Sequence, residues 1–165
     1  MEYSADICRL SSEFYSNYPR DIYPEILHKE TRPYTCLMIE TDDDYLICIP
    51  FRSSINPENK NAFLFSNSNR SQRTRSGLDY QKTVIINNTS YITSSDSAVV
   101  DDDEYITVAT NISKIANDIH EYISKYVAHA TGAKVLHERE YKRLFQYSTL
   151  PYFHDVLGIK QPNNG

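Results

Sequence analysis

Two long, nearly apolar runs separated by four polar residues constrain the fold of this sequence more than any other feature. The runs are YTCLMIE at residues 34–40 and YLICIPF at residues 45–51, and TDDD lies between them. Apolar runs of this length, rich in β-branched and aromatic residues, indicate strands, and the acidic segment indicates the turn of a hairpin. Because almost every position of both runs is apolar, the hairpin is predicted to lie at the centre of a sheet.

Helical patterns lie on either side of this region. Ser4 precedes ADICRLSSEFYSNY, residues 5–18, in which apolar residues recur at three- and four-residue spacing, and this predicts a capped helix. A longer apolar stripe runs through ISKIANDIHEYISKYVAHATG, which predicts an amphipathic helix that is closed by Gly132. EREYKRLFQY, residues 138–147, predicts a further helix.

Shorter apolar segments complete the predicted sheet. NAFLF at residues 61–65 predicts a third strand, and KTVIINN and SYIT predict a second hairpin that turns at Asn87 and Asn88. AVV and EYIT, near residues 98–107, predict short edge segments. The chain is therefore predicted to be α+β: one compact domain over residues 1–165, with a twisted, mostly antiparallel sheet and surrounding helices. Residues 161–165 are predicted to be a disordered tail.

Composition and charge indicate where the protein is located in the cell and which partners it can bind. The N-terminus lacks the apolar core of a secretory signal, no apolar run is long enough to span a membrane, and the three cysteines lack a CxxC spacing. A cytoplasmic protein with reduced cysteines is therefore predicted. The net charge of −5 does not exclude a nucleic acid partner, because basic residues cluster locally at residues 70–82 and 139–143.

Several classes of active site are not supported by the sequence. The histidines have no zinc-like spacing, and neither a P-loop, nor GxGxxG, nor GxSxG occurs. The chain contains only 4 glycines, which argues against a glycine loop that cradles phosphates. No metal site and no cofactor are predicted.

A polar segment directly after the second apolar run is the strongest candidate for a functional site. Arg52, Ser53 and Ser54 follow the predicted strand. They either end the strand and start a turn, or they bind a phosphate with a planar guanidinium and a hydroxyl. The segment that enters the neighbouring strand adds His28, Lys29 and Arg32. Together these residues contain the donors and proton-transfer groups that metal-independent RNA cleavage requires.

Four segments, in order along the chain, resemble the ToxN/AbiQ family of endoribonuclease toxins from bacterial type III toxin–antitoxin systems, and among these the CptN branch. The segments are HKETRPYTCLMIE, YLICIPFRSSI followed by NAFLF, RSGLDYQKTVII, and REYKRLFQYSTLPYFHDVLGI. The resemblance implies a highly twisted antiparallel sheet similar to that of Kid/MazF-type toxins. It also implies metal-independent RNA cleavage that leaves a 2′,3′-cyclic phosphate.

The resemblance further implies an RNA partner. Toxins of this family are inhibited by a small repeated RNA antitoxin folded as a pseudoknot, which the toxin cuts from its precursor and retains in a closed toxin–RNA assembly. Cellular or phage RNA would be the other substrate, and abortive infection of phage-infected bacteria would be the role. Compared with the founding members, Arg52 replaces a threonine, and His28 lies near a tyrosine position.

By this resemblance, Ser53 and Arg52 hold the scissile phosphate, His28 or Lys29 transfers a proton, and Arg32 adds positive charge. The predicted RNA-binding residues are Lys60, Tyr34, Arg70, Arg73, Arg75, Tyr80, Lys82, Lys142 and Arg143. For the two tyrosines the predicted contact is stacking on bases. A non-catalytic RNA-binding or regulatory module on the same scaffold is the alternative.

Overall fold

The central hairpin lies within a seven-stranded antiparallel sheet in a computed structural model, which describes residues 5–28, 34–65, 75–93 and 100–160. The strands are β1 (Ala5–Leu10), β2 (Thr35–Glu40), β3 (Leu46–Arg52), β4 (Ala62–Leu64), β5 (Gly77–Asp79), β6 (Val84–Ile86) and β7 (Ile92–Thr93). Their spatial order is β4-β5-β3-β2-β1-β7, and β6 pairs with the first half of β3. The prediction of an α+β domain around the hairpin is confirmed.

Register in the hairpin follows from the turn at residues 41–45. Glu40 lies opposite Leu46, and Cys36 lies opposite Pro50, so the start of β2 and the end of β3 share one end of the sheet. Thr41 stabilises the turn because its hydroxyl donates to the Tyr45 carbonyl oxygen at 2.8 Å. Cys36, Leu37 and Ile39 of β2 and all five interior positions of β3 are buried, as the apolar character of the two runs predicts.

Five α-helices occur in the described part of the chain. They are α1 (Ser12–Asn17), α2 (Asp102–Thr110), α3 (Ile112–Ala130), α4 (Glu138–Phe145) and α5 (His154–Leu157). The predicted amphipathic helix is confirmed as α3, whose buried stripe includes Ile115, Ile119 and Tyr126. Gly132 follows the C-cap with a φ of 81°, a left-handed conformation that glycine adopts without steric cost.

The N-terminal helix prediction was wrong for residues 5–10, which form β1. Cys8 lies opposite Cys36 in an antiparallel pair with β2, so hydrogen bonds from a strand about thirty positions away determine this conformation. The helical spacing applies only to the following residues. Ser11 caps α1 by accepting a hydrogen bond from the Phe14 amide, and the Phe14 side chain is fully buried.

Two other predicted elements also differ from the structure. KTVIINN and SYIT do not pair with each other, because β6 pairs with β3 whereas β7 pairs with β1. Asn88 instead caps a 3₁₀ turn, Thr89–Tyr91, that separates them. EYIT belongs to α2 rather than to an edge strand, and four acidic residues near the start of α2 favour a helix there through its dipole. Ala98 and Val99 lie outside the described residues, as do residues 161–165.

The sheet and helices share one hydrophobic core, which includes residues from β1 to β3, α3, α4 and the C-terminal turns. The largest fully buried side chains include Phe14, Phe145 and Phe153. Within the described ranges, no helix is both long enough and apolar enough to cross a lipid bilayer.

Gly77 allows β4 and β5 to approach each other closely, and we expect Gly77→Ala to destabilise the protein by about 2 kcal/mol. A Cβ atom at this position would collide with the Phe63 carbonyl oxygen and would lie 3.0 Å from the Leu64 Cα. Backbone atoms of a paired strand cannot move away without disrupting the ladder. Urea unfolding measures the effect. Gly132→Asn is the comparison and should cost less, because a Cβ there meets no atom within 4 Å and asparagine tolerates the left-handed conformation. Equal stability of Gly77→Ala and wild type would contradict this interpretation.

Candidate active site

The candidate site is built around a buried ion pair at the end of β3. Arg52 Nη1 donates to Asp79 Oδ2 at 2.7 Å, and the Asp79 side chain is 0% exposed whereas that of Arg52 is 31% exposed. Strand pairing explains this arrangement, because Arg52 lies opposite Gly77 and Asp79 is two residues further along β5. The guanidinium is therefore fixed at its inner edge and reaches solvent at its outer edge.

The second oxygen of the Asp79 carboxylate binds two further segments. Oδ1 accepts hydrogen bonds from Asn59 Nδ2 at 2.9 Å and from the Gln81 amide at 3.1 Å. Asn59 belongs to the loop between β3 and β4, and Gln81 belongs to the 3₁₀ turn after β5. A single buried carboxylate thus joins the end of β3, the loop that follows it and the 3₁₀ turn.

Arg75 connects the same loop to the start of β5. Its Nη2 donates to the Asn59 carbonyl oxygen at 3.4 Å, and its own carbonyl oxygen accepts from the Ile55 amide at 2.7 Å. Ile55 is buried, and this anchors the loop one residue after Ser54. These hydrogen bonds give Arg75 a structural role in holding the loop. Because its side chain is only half-buried, contact with RNA stays a prediction for it.

Ser53 and Ser54 are both exposed and lie between the half-buried Arg52 and the buried Ile55. Ser54 has a φ of 56°, in the left-handed region that a residue with a Cβ adopts at a cost in energy. The segment 52–54 therefore presents one fixed guanidinium beside two exposed hydroxyl groups. Such donors are suited to bind the oxygens of a phosphate.

His28 is held by contacts with the segment that precedes β2. Its Nδ1 is 2.8 Å from the Ile26 carbonyl oxygen, its Nε2 is 3.1 Å from the Tyr18 carbonyl oxygen, and its ring packs beside Tyr15. Within the described ranges, no hydrogen bond joins His28 to Arg52 or Ser53. Proton transfer to a substrate would require the ring to release one of its two carbonyl partners. Lys29 and Arg32 lie outside the described residues.

Tyr80 and Lys82, both predicted to bind RNA, each contact neighbouring residues of the chain and are largely buried. Tyr80 is 4% exposed and lines a groove beside Lys60, and its hydroxyl donates to Asp118 at 3.2 Å, so little of its ring is accessible for stacking on a base. Burial, followed by the nearby Asp118 carboxylate, raises the pKa of Tyr80 above its ordinary value. Lys82 Nζ pairs with Glu25 at 2.6 Å and donates to the Tyr147 carbonyl oxygen at 2.8 Å, which leaves its side chain 11% exposed.

Three other predicted RNA-binding residues that the structure describes are exposed, and a fourth is half-buried. Lys60 is exposed and donates to the Pro57 carbonyl oxygen, while Tyr34 is half-buried directly before β2. Lys142 and Arg143 on α4 are exposed and form ion pairs within the helix, at 3.3 Å to Glu138 and 3.7 Å to Glu140. Exposed pairs of this kind are weak, so both cations remain able to contact a phosphate. Arg70 and Arg73 lie outside the described residues.

A groove of about 300 Å³ adjoins the loop that Asp79 anchors. Lys60 and Asn61 line one side of it, and Lys114 and Lys125 of α3 line the other. Asp118 and Glu121 also line it and pair with the two α3 lysines. The groove places Lys60 near Lys114 and Lys125. These two lysines were not predicted to bind RNA, because they are far from Lys60 in sequence and approach it only in the folded protein.

Asp79 and Asn59 were also not predicted from the sequence. In the sequence, Asp79 is an acidic residue between the apolar residues Leu78 and Tyr80. This pattern fits an exposed turn as well as a buried carboxylate in an ion pair, so it does not identify Asp79 as the partner of Arg52. Within the described residues, no group of three or more histidine, cysteine, aspartate or glutamate side chains is arranged to hold a metal ion. No protein-family model, no curated protein and no solved structure matches this chain.

Proposed function

We propose that this chain is a metal-independent endoribonuclease toxin of the ToxN/AbiQ type, the CptN branch in particular. The observation that carries the proposal is the segment 52–54, where an ion pair to a buried carboxylate fixes Arg52 beside the exposed Ser53. Fixed donors that face solvent are what a site needs to stabilise charge on a phosphate during reaction, since they do not have to reorganise. The sequence resemblance supplies the class of reaction.

In the proposed mechanism, the 2′-hydroxyl of the RNA attacks the neighbouring phosphorus and the 5′-oxygen leaves, which produces a 2′,3′-cyclic phosphate. Arg52 and Ser53 donate hydrogen bonds to the non-bridging oxygens as negative charge develops on them. His28 or Lys29 transfers a proton at the 2′-oxygen or the 5′-oxygen, and Arg32 adds positive charge. No step in this sequence requires a metal ion.

The RNA strand is proposed to leave the site along the groove that Lys60, Lys114 and Lys125 line. The cations attract the backbone. Lys114 and Lys125 are exposed and can exchange their carboxylate partners on α3 for phosphate, because ion pairs at the surface are weak. Tyr34, Arg70, Arg73 and Arg75 are also proposed to contact the strand, and Lys142 and Arg143 extend the contact.

The proposed physiological partner is a small repeated RNA antitoxin folded as a pseudoknot. The toxin would cut each repeat from the precursor, remain bound to the product and form a closed toxin–RNA assembly in the bacterial cytoplasm. Release of the toxin during phage infection would then allow it to cleave cellular or phage RNA. The proposed fold is the Kid/MazF-like form of the antiparallel sheet.

The proposal predicts that RNA-free protein cleaves single-stranded RNA in the presence of EDTA. The fragments should carry 2′,3′-cyclic phosphate ends, which analysis of the product ends detects. Because the attacking group is the 2′-hydroxyl, DNA of the same sequence should remain intact and is the matched control. Binding of RNA by folded protein without cleavage would instead identify the chain as a non-catalytic RNA-binding module.

A further inference from the structure

A small cavity at the C-terminal end of α3 is lined by hydrogen-bond donors and lies away from the candidate active site. Its volume is about 200 Å³, several times the roughly 30 Å³ that one water molecule occupies in the liquid. It is lined by Tyr126, His129 and Ala130 of α3, Tyr141 of α4, His154 of α5, and Ile159 and Lys160. His129 is eleven residues beyond Asp118, the residue that contacts Tyr80, or about 16 Å along the helix.

The hydrogen bond to His129 determines which ring nitrogen is a donor. The Leu136 amide donates to His129 Nδ1 at 2.9 Å, so Nδ1 is an acceptor and carries no proton. The neutral imidazole therefore carries its proton on Nε2, which has no partner within the described part of the chain. The ring stacks on Tyr141 with centroids 4.5 Å apart, and this holds the donor in place.

A second histidine in the cavity is coupled to a tyrosine. Tyr126 places its hydroxyl 2.6 Å from His154 Nε2. Burial raises the pKa of Tyr126, so this hydroxyl keeps its proton and remains a donor. The proton can point towards His154, or towards a ligand when the imidazole itself donates to the tyrosine oxygen. The pair can thus offer a hydrogen bond to an acceptor in the cavity.

The other polar groups of the cavity are also donors. Lys160 contributes an ammonium group, and the Tyr141 hydroxyl has no hydrogen-bond partner among the described residues. The described residues that line the cavity include no aspartate or glutamate, although the whole chain has a net charge of −5. A set of donors without a carboxylate suits an anion with several acceptor oxygens and does not suit a cation.

We propose that this cavity binds a phosphate group, as a site separate from the segment 52–54. His129 Nε2, the Tyr141 hydroxyl, the Tyr126–His154 pair and Lys160 would supply its donors. The phosphate belongs either to a free phosphate compound or to the backbone of a bound RNA, and the recognition chemistry is the same in both cases. Phosphate binding in this cavity does not require ribonuclease activity.

Nuclear magnetic resonance of the histidine rings tests the site on the full chain. The protein is titrated with inorganic phosphate and, separately, with a short single-stranded RNA that lacks terminal phosphates and carries 2′-O-methyl groups, so that it cannot be cleaved through its 2′-hydroxyls, at constant pH and ionic strength. The expected result is a saturable shift of the His129 and His154 ring signals, assigned from His129→Gln and His154→Gln. The signals of His120 and His137, which do not line the cavity, should not move in a saturable way.

Tyr141→Phe is the informative variant, because it removes a hydroxyl that has no hydrogen-bond partner among the described residues and keeps the ring that stacks on His129. It should weaken binding roughly fivefold, the equivalent of one hydrogen bond. Tyr147→Phe, at an exposed tyrosine outside the cavity, should bind as wild type does. Saturation by inorganic phosphate identifies a free phosphate compound as the ligand, and saturation by RNA alone identifies the backbone. The proposal is overturned by equal shifts of all histidines, by no shift with either probe, or by wild-type affinity in Tyr141→Phe.

Discussion

Replacing Ser53 with alanine should slow RNA cleavage by roughly 10²–10³-fold, the usual effect of removing one fixed donor from a site that stabilises developing charge. The hydroxyl lies next to Arg52 at the end of β3 and is exposed, so the substitution opens no cavity in the core. The affinity for RNA should change by less than about threefold, because the lost interaction acts mainly in the transition state. Single-turnover cleavage, measured beside equilibrium RNA binding, separates the two quantities.

A serine far from the segment 52–54 provides the matched control. Ser113 is exposed in the first turn of α3, and Ser113→Ala should cleave RNA at the wild-type rate. Unfolding in urea should give the same midpoint for Ser53→Ala and wild type, which excludes loss of fold as the cause. A Ser53→Ala protein that cleaves as fast as wild type would remove Ser53 from the catalytic assignment.

The sequence predicted correctly those elements that a long, continuous hydrophobic pattern identifies. The central hairpin was predicted because residues 36–39 and 47–49 are apolar without interruption, and only the middle of a sheet buries such runs. Helix α3 was predicted because a nineteen-residue stripe at helical spacing is long enough to exclude a strand. Gly132 marked the end of this helix through its conformational freedom, which is also a local property.

Elements that depend on distant partners were not predicted. Cys8 and its neighbours form a strand because β2 provides an exposed edge, and the three- and four-residue spacing of Ile7 and Leu10 contains no information about that edge. Val84 and Ile92 were assigned to one hairpin because they are close in sequence. In the sheet, Val84 lies on β6, which pairs with β3, and Ile92 lies on β7, which pairs with β1. Short strands carry too few residues for their pattern to determine their partners.

In the candidate site, too, local features were predicted from the sequence and long-range contacts were not. The place of Arg52 at the end of β3 was predicted, because an apolar strand that stops at a polar segment is visible in the sequence. Its partner Asp79 was not, because the ion pair spans 27 positions and forms only when β5 aligns with β3. Tyr80 was predicted to bind RNA because tyrosine is compatible with both a core and a stacking surface, and the fold buries it.

Removal of the Asp79 carboxylate should produce the largest loss of stability among the site variants, and we expect Asp79→Ala to lower the free energy of unfolding by about 3 kcal/mol. The substitution leaves Asn59 Nδ2 and the Gln81 amide without an acceptor in a buried region, and it leaves the Arg52 guanidinium without its counter-charge. Arg52 is partly exposed and can turn towards water, which keeps the loss near the lower end of the range for broken buried pairs. Urea unfolding with an unchanged m-value measures it.

Two variants separate the charge of Asp79 from its hydrogen bonds. Asp79→Asn can keep an oxygen for Asn59 and Gln81 but loses the charge that fixes Arg52, so it should lose less stability than Asp79→Ala while still releasing the guanidinium. If Arg52 acts on the scissile phosphate, the folded Asp79→Asn protein should cleave RNA more slowly than wild type.

Glu121→Ala, which breaks an exposed pair with Lys125, should change stability by less than about 0.5 kcal/mol. A loss equally small in Asp79→Ala would mean that the buried carboxylate does not hold the segment 52–54 in place.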